Sequence, residues 1–396
     1  MRDVVIVEAC RTAVGTFGGT IKDVTPEELA RVVVQGLLDR SGIDPKEIDE
    51  VIMGHCRQSS DNPNLARLAA LRCGIPEETP AYTVMRQCAS AMSAVVTGVM
   101  SVQVGDNDVV IAGGTESMSS ANFYLRNPRF GLGTGNVTLY DAVTEGQFQS
   151  QPQETYGIFN MGVTADNVAE KLNISREDTD KFALQSQERA AAAIAAGKFV
   201  DEIVPVVIPQ RKGDPIVFDV DEYPRSTTLE KLAKLKPAFG KEGVTTAGNA
   251  CGRNDGASAL LFMTPEKAAQ LGLKPLARFV SYATTGLDPR IMGLGPVEAV
   301  KKSLKRAGMT LDQIELIELN EAFAAQAIGC IRELGLNEEI VNVNGGAVAL
   351  GHPVGSSGCR LIVTLLHEMR RRGSKYGLAS LCIAGGMGQA TIIEAL

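Results

Sequence analysis

Two stretches far apart in this chain repeat one another, and that repeat limits the folds open to it. Gly42 to His55 reads G-I-D-P-K-E-I-D-E-V-I-M-G-H, and Gly308 to Glu321 reads G-M-T-L-D-Q-I-E-L-I-E-L-N-E. They align without a gap, matching Gly42 with Gly308, Ile48 with Ile314, Asp49 with Glu315 and Val51 with Ile317. A second pair lies further along each half: Asp108-Val-Val-Ile-Ala-Gly-Gly114 against Ser380-Leu-Cys-Ile-Ala-Gly-Gly386. That pair follows the helical patterns Ala89–Val104 and Cys359–Arg372. Apolar strands alternating with helices imply α/β units on a largely buried sheet. Two related halves imply two similar domains packed about a pseudo-dyad. At 396 residues the chain is too long for one ordinary core.

A different region, about 119 to 248, separates the halves. It begins irregular and glycine-rich from Asn127 to Gly146. Ser175-Arg-Glu-Asp178 has the form of a capping box opening a helix to about Ala196, which Gly197 can stop. Asp201 to Val220 is expected to be extended, and a lysine-rich helix is expected over Leu229–Leu235. An inserted lid is one reading, since long irregular segments often carry function; a surface excursion is the other.

Several classes fall away on composition. The net charge of −7 argues against nucleic-acid binding driven by phosphate attraction. No apolar run is expected to cross a bilayer, and Met1 to Glu8 reads as a buried strand rather than a signal peptide, so the cytoplasm is the expected location. The eight cysteines form no C-x-x-C pair, and there are only three histidines, so no metal site is expected.

The candidate chemistry sits at loop tips among small residues. Cys88 precedes the helical pattern Ala89–Val104, where the helix dipole favours a thiolate. Taken alone it reads more readily as a packed apolar residue, and the small residues Ala89, Ser90 and Ala91 beside it favour the functional reading. His352 lies in G-G-A-V-A-L-G-H-P-V-G-S-S-G, fit for a base, an acid or a hydrogen-bond donor, or for a turn needing positive φ. Cys382, before Gly385-Gly386, is a second acid/base or a core residue; its sequence match, Val110, favours packing. Asn320 and Glu321 end the matched strand of the second half, where an amide can hold a water or donate to an oxyanion.

Together these motifs resemble the thiolase family, across essentially the whole chain. The segment N-E-A-F-A from Asn320, the loop around His352 and the final C-I-A-G-G-M-G carry the resemblance. Arg11-Thr12, Gly113 to Met118, Met161 to Ala169, Leu235 to Phe239 and Gly248-Asn-Ala250 support it. It implies an α/β thiolase fold: two similar halves in a five-layer αβαβα arrangement with an inserted loop domain over coenzyme A. The expected boundaries are 1–118 plus about 249–272 for the N-terminal half, 119–248 for the insertion and 273–396 for the C-terminal half.

The implied activity is that of an acyltransferase. It cleaves a 3-oxoacyl-CoA reversibly with coenzyme A, or condenses two acetyl-CoA, through an acyl-cysteine intermediate, as in β-oxidation and fatty acid metabolism. Cys88 resembles the nucleophile, His352 its activating base and an oxyanion donor. Cys382 resembles the acid/base at the α-carbon and Asn320 the holder of a catalytic water. The amide of Cys88 and one near Ala384 are implied as an oxyanion hole. Arg225 is implied at the nucleotide end of coenzyme A; Met161, Met292 and Phe323 are implied in the pantetheine and acyl channel. Coenzyme A and acyl-CoA enter as substrates, with no permanently bound cofactor. Partners implied are further copies of the chain, as a homodimer or homotetramer, and in some members a small zinc-containing accessory subunit. No nucleic acid and no membrane are implied.

Some positions depart from the family's commonest pattern. Met85, Ala91, Cys251 and Ala384 replace the usual asparagine, glycine, serine and glycine, and Asn160 replaces a histidine. Alanine at 384 would be strained if the position required positive φ. Cys251 and Asn160 stand where they alter how the pantetheine or acyl chain lies, which makes a bulky, branched or aromatic acyl group an alternative expectation. A non-catalytic acyl-CoA-binding scaffold is a further alternative. A ketoacyl synthase of the same superfamily is disfavoured by Cys382.

Overall fold

The computed structural model describes residues 1–396. Nine strands run in one hydrogen-bonded path: β1 (Val5–Arg11), β2 (Glu50–Gly54), β3 (Ala81–Val84), β4 (Val109–Ser117), β5 (Asn254–Met263), β6 (Ala277–Gly286), β7 (Leu316–Leu319), β8 (Tyr376–Ile383) and β9 (Met387–Ala395). The path is β7-β8-β9-β6-β1-β5-β4-β2-β3. The helices that matter here are α1 (Pro26–Ser41), α2 (Leu65–Arg72), α3 (Ser90–Val104), α4 (Met161–Leu172), α5 (Arg176–Ala195), α6 (Gly295–Ala307), α7 (Ala324–Leu334) and α8 (Val354–Arg372).

The path is two copies of one unit joined at β1 and β6, which pair only through Val5 with Arg278 and Ile6 with Ala277. In the first copy β3, β2 and β4 run parallel, then β5 and β1 alternate direction. In the second, β7 and β8 run parallel and β9 and β6 alternate, while Val341 bridges Ile317 in the place that β3 takes beside β2. The pleat sends successive side chains to opposite faces. Val109 and Ile111 pack outward with α1 and α2, whereas Val110 and Ala112 pack inward against α3 and α8. In the second copy Ile317 and Leu378 face the outer helices α6 and α7, and Ala379 and Leu381 face the centre. Helices, half-sheet, central helices, half-sheet and helices make the five-layer α/β fold.

The central layer corrects one expectation. Gln87–Val104 spans 18 residues at a mean hydropathy of 1.2, long and apolar enough to cross a membrane by length and composition. It is apolar nearly all round because α3 lies between two half-sheets and against α8.

The sheet also corrects the second sequence match. Val51 is level with Ile111, and its counterpart Ile317 is level with Leu378. Ile111 therefore corresponds to Leu378, and Cys382 corresponds to Thr115, not to Val110. The glycine pairs align by composition but sit out of register. The shift is odd, so it reverses the face. Val110 points into the central layer, whereas Cys382 joins Ala165, Ala250, Met292, Ala322 and Phe323 on the other side. The packing argument drawn from Val110 does not apply to Cys382.

The insertion holds α4 and α5. The Ser175 side chain accepts from the Asp178 amide (3.1 Å), and Asp178 accepts from the Ser175 amide (3.2 Å), closing the capping box. Gly197 (φ 67°) follows the helix end. The stretch 201–220 is less extended than expected: only Val206–Ile208 and Ile216–Phe218 pair, as a hairpin, and the later helix is shorter, Leu229–Ala233. Arg11 ties this region to β1. Its buried guanidinium donates to Glu202 (2.6 Å) and to both oxygens of Asp221 (2.7 and 2.9 Å). Buried charges of this kind need full pairing, and these have it.

Candidate active site

Cys88 sits on a turn that local chemistry fixes. Gln87 adopts left-handed backbone (φ 47°), a sparsely populated conformation for a residue with a side chain. The turn is held by Ser90, whose Oγ accepts from the Arg86 amide (2.9 Å) and donates to the Gln87 carbonyl (2.7 Å). The helix of Ser90–Val104 then begins. Burial pushes the Cys88 thiol up, opposed by the Ala384 amide directed at its sulfur and by the charge of Arg57.

His352 is buried on the loop before α8. Its amide donates to Asn254 Oδ1 (3.0 Å). Gly351 takes φ 99°, and a Cβ there would lie 2.5 Å from the Asn254 carboxamide, so this position requires glycine twice over. Ser357 Oγ donates its single proton to the Pro353 carbonyl (2.9 Å) and must accept from His352 Nδ1 (2.6 Å). That fixes the tautomer: Nδ1 carries the proton and Nε2 is left as an acceptor. Asn320 Nδ2 lies 3.5 Å from Nε2. Burial, aided by Arg360, pushes His352 down to about 4, so the imidazole is neutral near pH 7.

One cavity of about 280 Å³ connects these groups. Cys88, His352, Ala384, Cys251, Asn160, Met161, Met292 and Phe323 all line it. Asn320 and Cys382 lie just behind its wall. Asn320 is fully buried against His352, and its Oδ1 has no protein partner. Cys382 is fully buried, and its thiol is pushed well up by burial and by the neighbouring thiols of Cys88, Cys330 and Cys251. Arg225 does not line the cavity. It is held outside by the Ala247 carbonyl (2.8 Å) and the Tyr223 hydroxyl (3.2 Å), and the Tyr223 ring packs on Gly252 at the cavity's edge.

Three readings of the sequence change. Ala384 is not strained: the positive φ values belong to Gly385 (87°) and Gly386 (81°). Asn320 and Glu321 stand one and two residues beyond the strand, which ends at Leu319. Asn160 does not reach for a ligand with its Oδ1, which caps α4 by accepting from the Gly162 and Val163 amides (3.1 and 3.2 Å).

Glu321 reads from the sequence only as a strand end, and Glu116, Ser357 and Arg57 are not singled out by it. Glu321 accepts from Ser186, Asn342 and the Val348 amide, and so pins the glycine loop that leads to His352. Glu116 accepts from the amides of Cys56, Arg57 and Gly355 and faces His55 Nδ1 at 3.2 Å, tying the loop after β2 to the start of α8. The G-S-S-G run after His352 is the local signal for Ser357. Arg57 has none, because its neighbours in the cavity come from distant parts of the chain.

The loss of the tautomer lock is measurable. Ser357→Ala is expected to lower kcat by about ten- to a hundred-fold while KM changes little, because an unanchored imidazole is mis-aimed rather than absent. An unchanged kcat would show that Ser357 does not position His352.

Comparison with known proteins gives the same answer over the whole length. Residues 4–266 match the family described as "Thiolase, N-terminal domain", and residues 273–395 match "Thiolase, C-terminal domain". The chain is 51% identical to an acetyl-CoA acetyltransferase of Chromobacterium violaceum, over 99% of each chain. It superposes on the crystal structure of the Bacillus anthracis acetyl-CoA acetyltransferase with a TM-score of 0.97, at 48% identity, covering 100% of this chain and 99% of that one. With human mitochondrial 3-ketoacyl-CoA thiolase in complex with CoA the TM-score is 0.94, at 44% identity, covering 100% and 98%.

Proposed function

The chain belongs to the thiolase family, and from that premise we propose that Cys88, His352, Cys382 and Asn320 perform the family's reaction here. The enzyme is an acyltransferase. It cleaves a 3-oxoacyl-CoA with coenzyme A to acetyl-CoA and an acyl-CoA two carbons shorter, and runs the same path backwards as a Claisen condensation. Coenzyme A and its thioesters are substrates. The observation that carries the residue roles is the fixed tautomer of His352: a neutral base lining one cavity with Cys88, its free nitrogen beside Asn320.

The steps follow from the resting charges. Cys88 is a thiol and His352 a neutral imidazole, so Nε2 takes the thiol proton as sulfur attacks the C3 carbonyl. The amide of Ala384, which faces the Cys88 sulfur, and that of Cys88 stabilise the oxygen that gains charge. The C2–C3 bond breaks and its electron pair passes into the enolate of acetyl-CoA. Cys382, kept protonated by burial, gives its proton to C2. Acetyl-CoA leaves, and Cys88 holds the shortened acyl group as a thioester. The thiol of a second coenzyme A gives its proton to the Cys382 thiolate and attacks that thioester. The expelled Cys88 sulfur recovers its proton from His352, which restores the starting state.

The direct test is release of acetyl-CoA from acetoacetyl-CoA and coenzyme A. No cleavage by folded protein would overturn the reading.

We also propose that the chain works as a homo-oligomer. The edge strand β3 supports this: all four of its residues are only partly buried, and Met85, which follows it, is exposed. An open edge of this kind is a template for pairing with a second copy. Sedimentation equilibrium is expected to give a dimer or tetramer, and a monomer at micromolar concentration would refute it.

A further inference from the structure

Arg57 is a cation without a counter-ion on the wall of the cavity that holds Cys88. Its Nε is buried with no hydrogen-bond partner, and no carboxylate stands within ion-pair distance of the guanidinium. Glu116, whose charge reaches it, is engaged with three amides and His55. The far side of Arg57 borders a polar cavity of about 100 Å³ that Glu27 and Asp61 line. Those two are also engaged elsewhere: Glu27 with Asn62 and Arg72, Asp61 with Ser59 and Asn122. An uncompensated charge in a half-buried position is costly, and proteins keep one where a ligand completes it.

The surroundings are built to hold the guanidinium there. Gly146 lies against it, and a Cβ at that position would come within 2.2 Å of Nη1, so any side chain at 146 would displace it. Gln147 and Ser150 line the same cavity, and Ser150 Oγ donates to the Gly146 carbonyl (2.7 Å).

Position within the cavity decides what the cation meets. Cys88 stands between two apolar walls. One holds Met161, Phe239, Met292 and Phe323, backed by Cys382. The other holds Met118, Val143 and Val354, and Arg57 belongs to that side with Gly146. The thioester end of a substrate needs its α-carbon near Cys382, which assigns the first wall to coenzyme A. The second wall then receives the acyl tail beyond C3. We infer that Arg57 binds a carboxylate at the end of that tail, making this enzyme selective for 3-oxoacyl-CoA substrates whose acyl chain ends in an acid. Guanidinium and carboxylate match as a two-point pair, which gives direction as well as attraction. This rests on the thiolase reading and deepens it.

The test compares two six-carbon substrates, 3-oxohexanoyl-CoA and the mono-CoA thioester of 3-oxohexanedioic acid, with acetoacetyl-CoA as control. The wild-type enzyme is expected to favour the diacid thioester by about ten-fold or more in kcat/KM. In Arg57→Leu that ratio is expected to collapse by about thirty-fold or more, and Arg57→Lys to keep part of it, since a point charge remains but the fork is lost. A wild-type ratio at or below one, with acetoacetyl-CoA cleaved, overturns the inference and leaves the thiolase reading standing. Failure on acetoacetyl-CoA as well removes the reading beneath it. An equal fall on both six-carbon substrates in Arg57→Leu also overturns it, because Arg57 would then serve only the Cys88 thiolate. The wild-type ratio decides the matter even if a variant fails to fold.

Discussion

Cys88→Ala is expected to lower thiolysis of acetoacetyl-CoA by roughly 10⁴- to 10⁶-fold, because the acyl group then has nowhere to rest between the two half-reactions. No other thiol can take the role. Cys251 lines the cavity, but burial pushes its thiol up to about 12. Cys382 is enclosed behind the wall. Intact-protein mass spectrometry gives an independent readout: acetyl-CoA is expected to add one acetyl group to the wild-type chain and none to the variant. Loss of turnover with acetylation retained would place the nucleophile elsewhere. The raised Cys88 thiol carries a consequence for pH. A thiol with its titration displaced above the ordinary value of 9.0 is mostly protonated at neutral pH. Its alkylation by iodoacetamide should therefore still be climbing at pH 9, where a low-titrating thiolate would have levelled off. A plateau by pH 8 would contradict the need for His352 to remove the proton during the reaction.

The duplicated stretches disclose the fold because each is a complete connection from a helix C-cap to a strand, so the repeat of Gly42–His55 at Gly308–Glu321 survives as a repeat of β2 and β7. The second match misleads for a physical reason. V-V-I-A-G-G and L-C-I-A-G-G look alike because both strands are buried on two faces, and a continuous apolar run carries no mark of its register. Only pairing with β2 and β7 shows that Cys382 stands where Thr115 stands. Cys88, His352, Asn320 and Cys382, which the structure gathers at or behind one cavity, stand out in the sequence because each sits in an unusual local run of small residues. Arg57 and Glu116 do not, and Glu321 stands out only as a strand end, because their roles come from partners far along the chain. Glu116 meets Gly355 across the two halves, and Glu321 meets Ser186 in the insertion. Departures from a family pattern were legible as departures, but not as to their cost. Ala384 is harmless because the positive φ values fall one and two residues later.

Cys382→Ser separates the two halves of the reaction and is expected to do so by a wide margin. In the proposed steps Cys382 carries the proton that passes to or from C2 and, in cleavage, regains it from coenzyme A, and a hydroxyl in the same buried place is a much weaker acid than the thiol. Carbon–carbon cleavage of acetoacetyl-CoA is expected to fall about 10³-fold. Exchange of the acetyl group between acetyl-CoA and labelled coenzyme A breaks no carbon–carbon bond and forms no enolate, so Cys382 stays protonated and His352 alone can carry the proton between Cys88 and the coenzyme A sulfur, with the amides near Ala384 at the oxyanion. That exchange is expected to stay within about ten-fold of wild type. Wash-in of deuterium from solvent into the methyl group of acetyl-CoA tracks the proton transfer alone, and should be lost with cleavage. The pattern discriminates because Cys382 is also a packed residue beside Met292 and Phe323. If serine merely disturbed that packing, acetyl exchange, carbon–carbon cleavage and deuterium wash-in would decline together. A parallel decline would therefore remove Cys382 from the proton path. A split of two decades or more between exchange and cleavage would place the C2 proton on this thiol, on the face of β8 that the sheet register, rather than the sequence match, assigns to it.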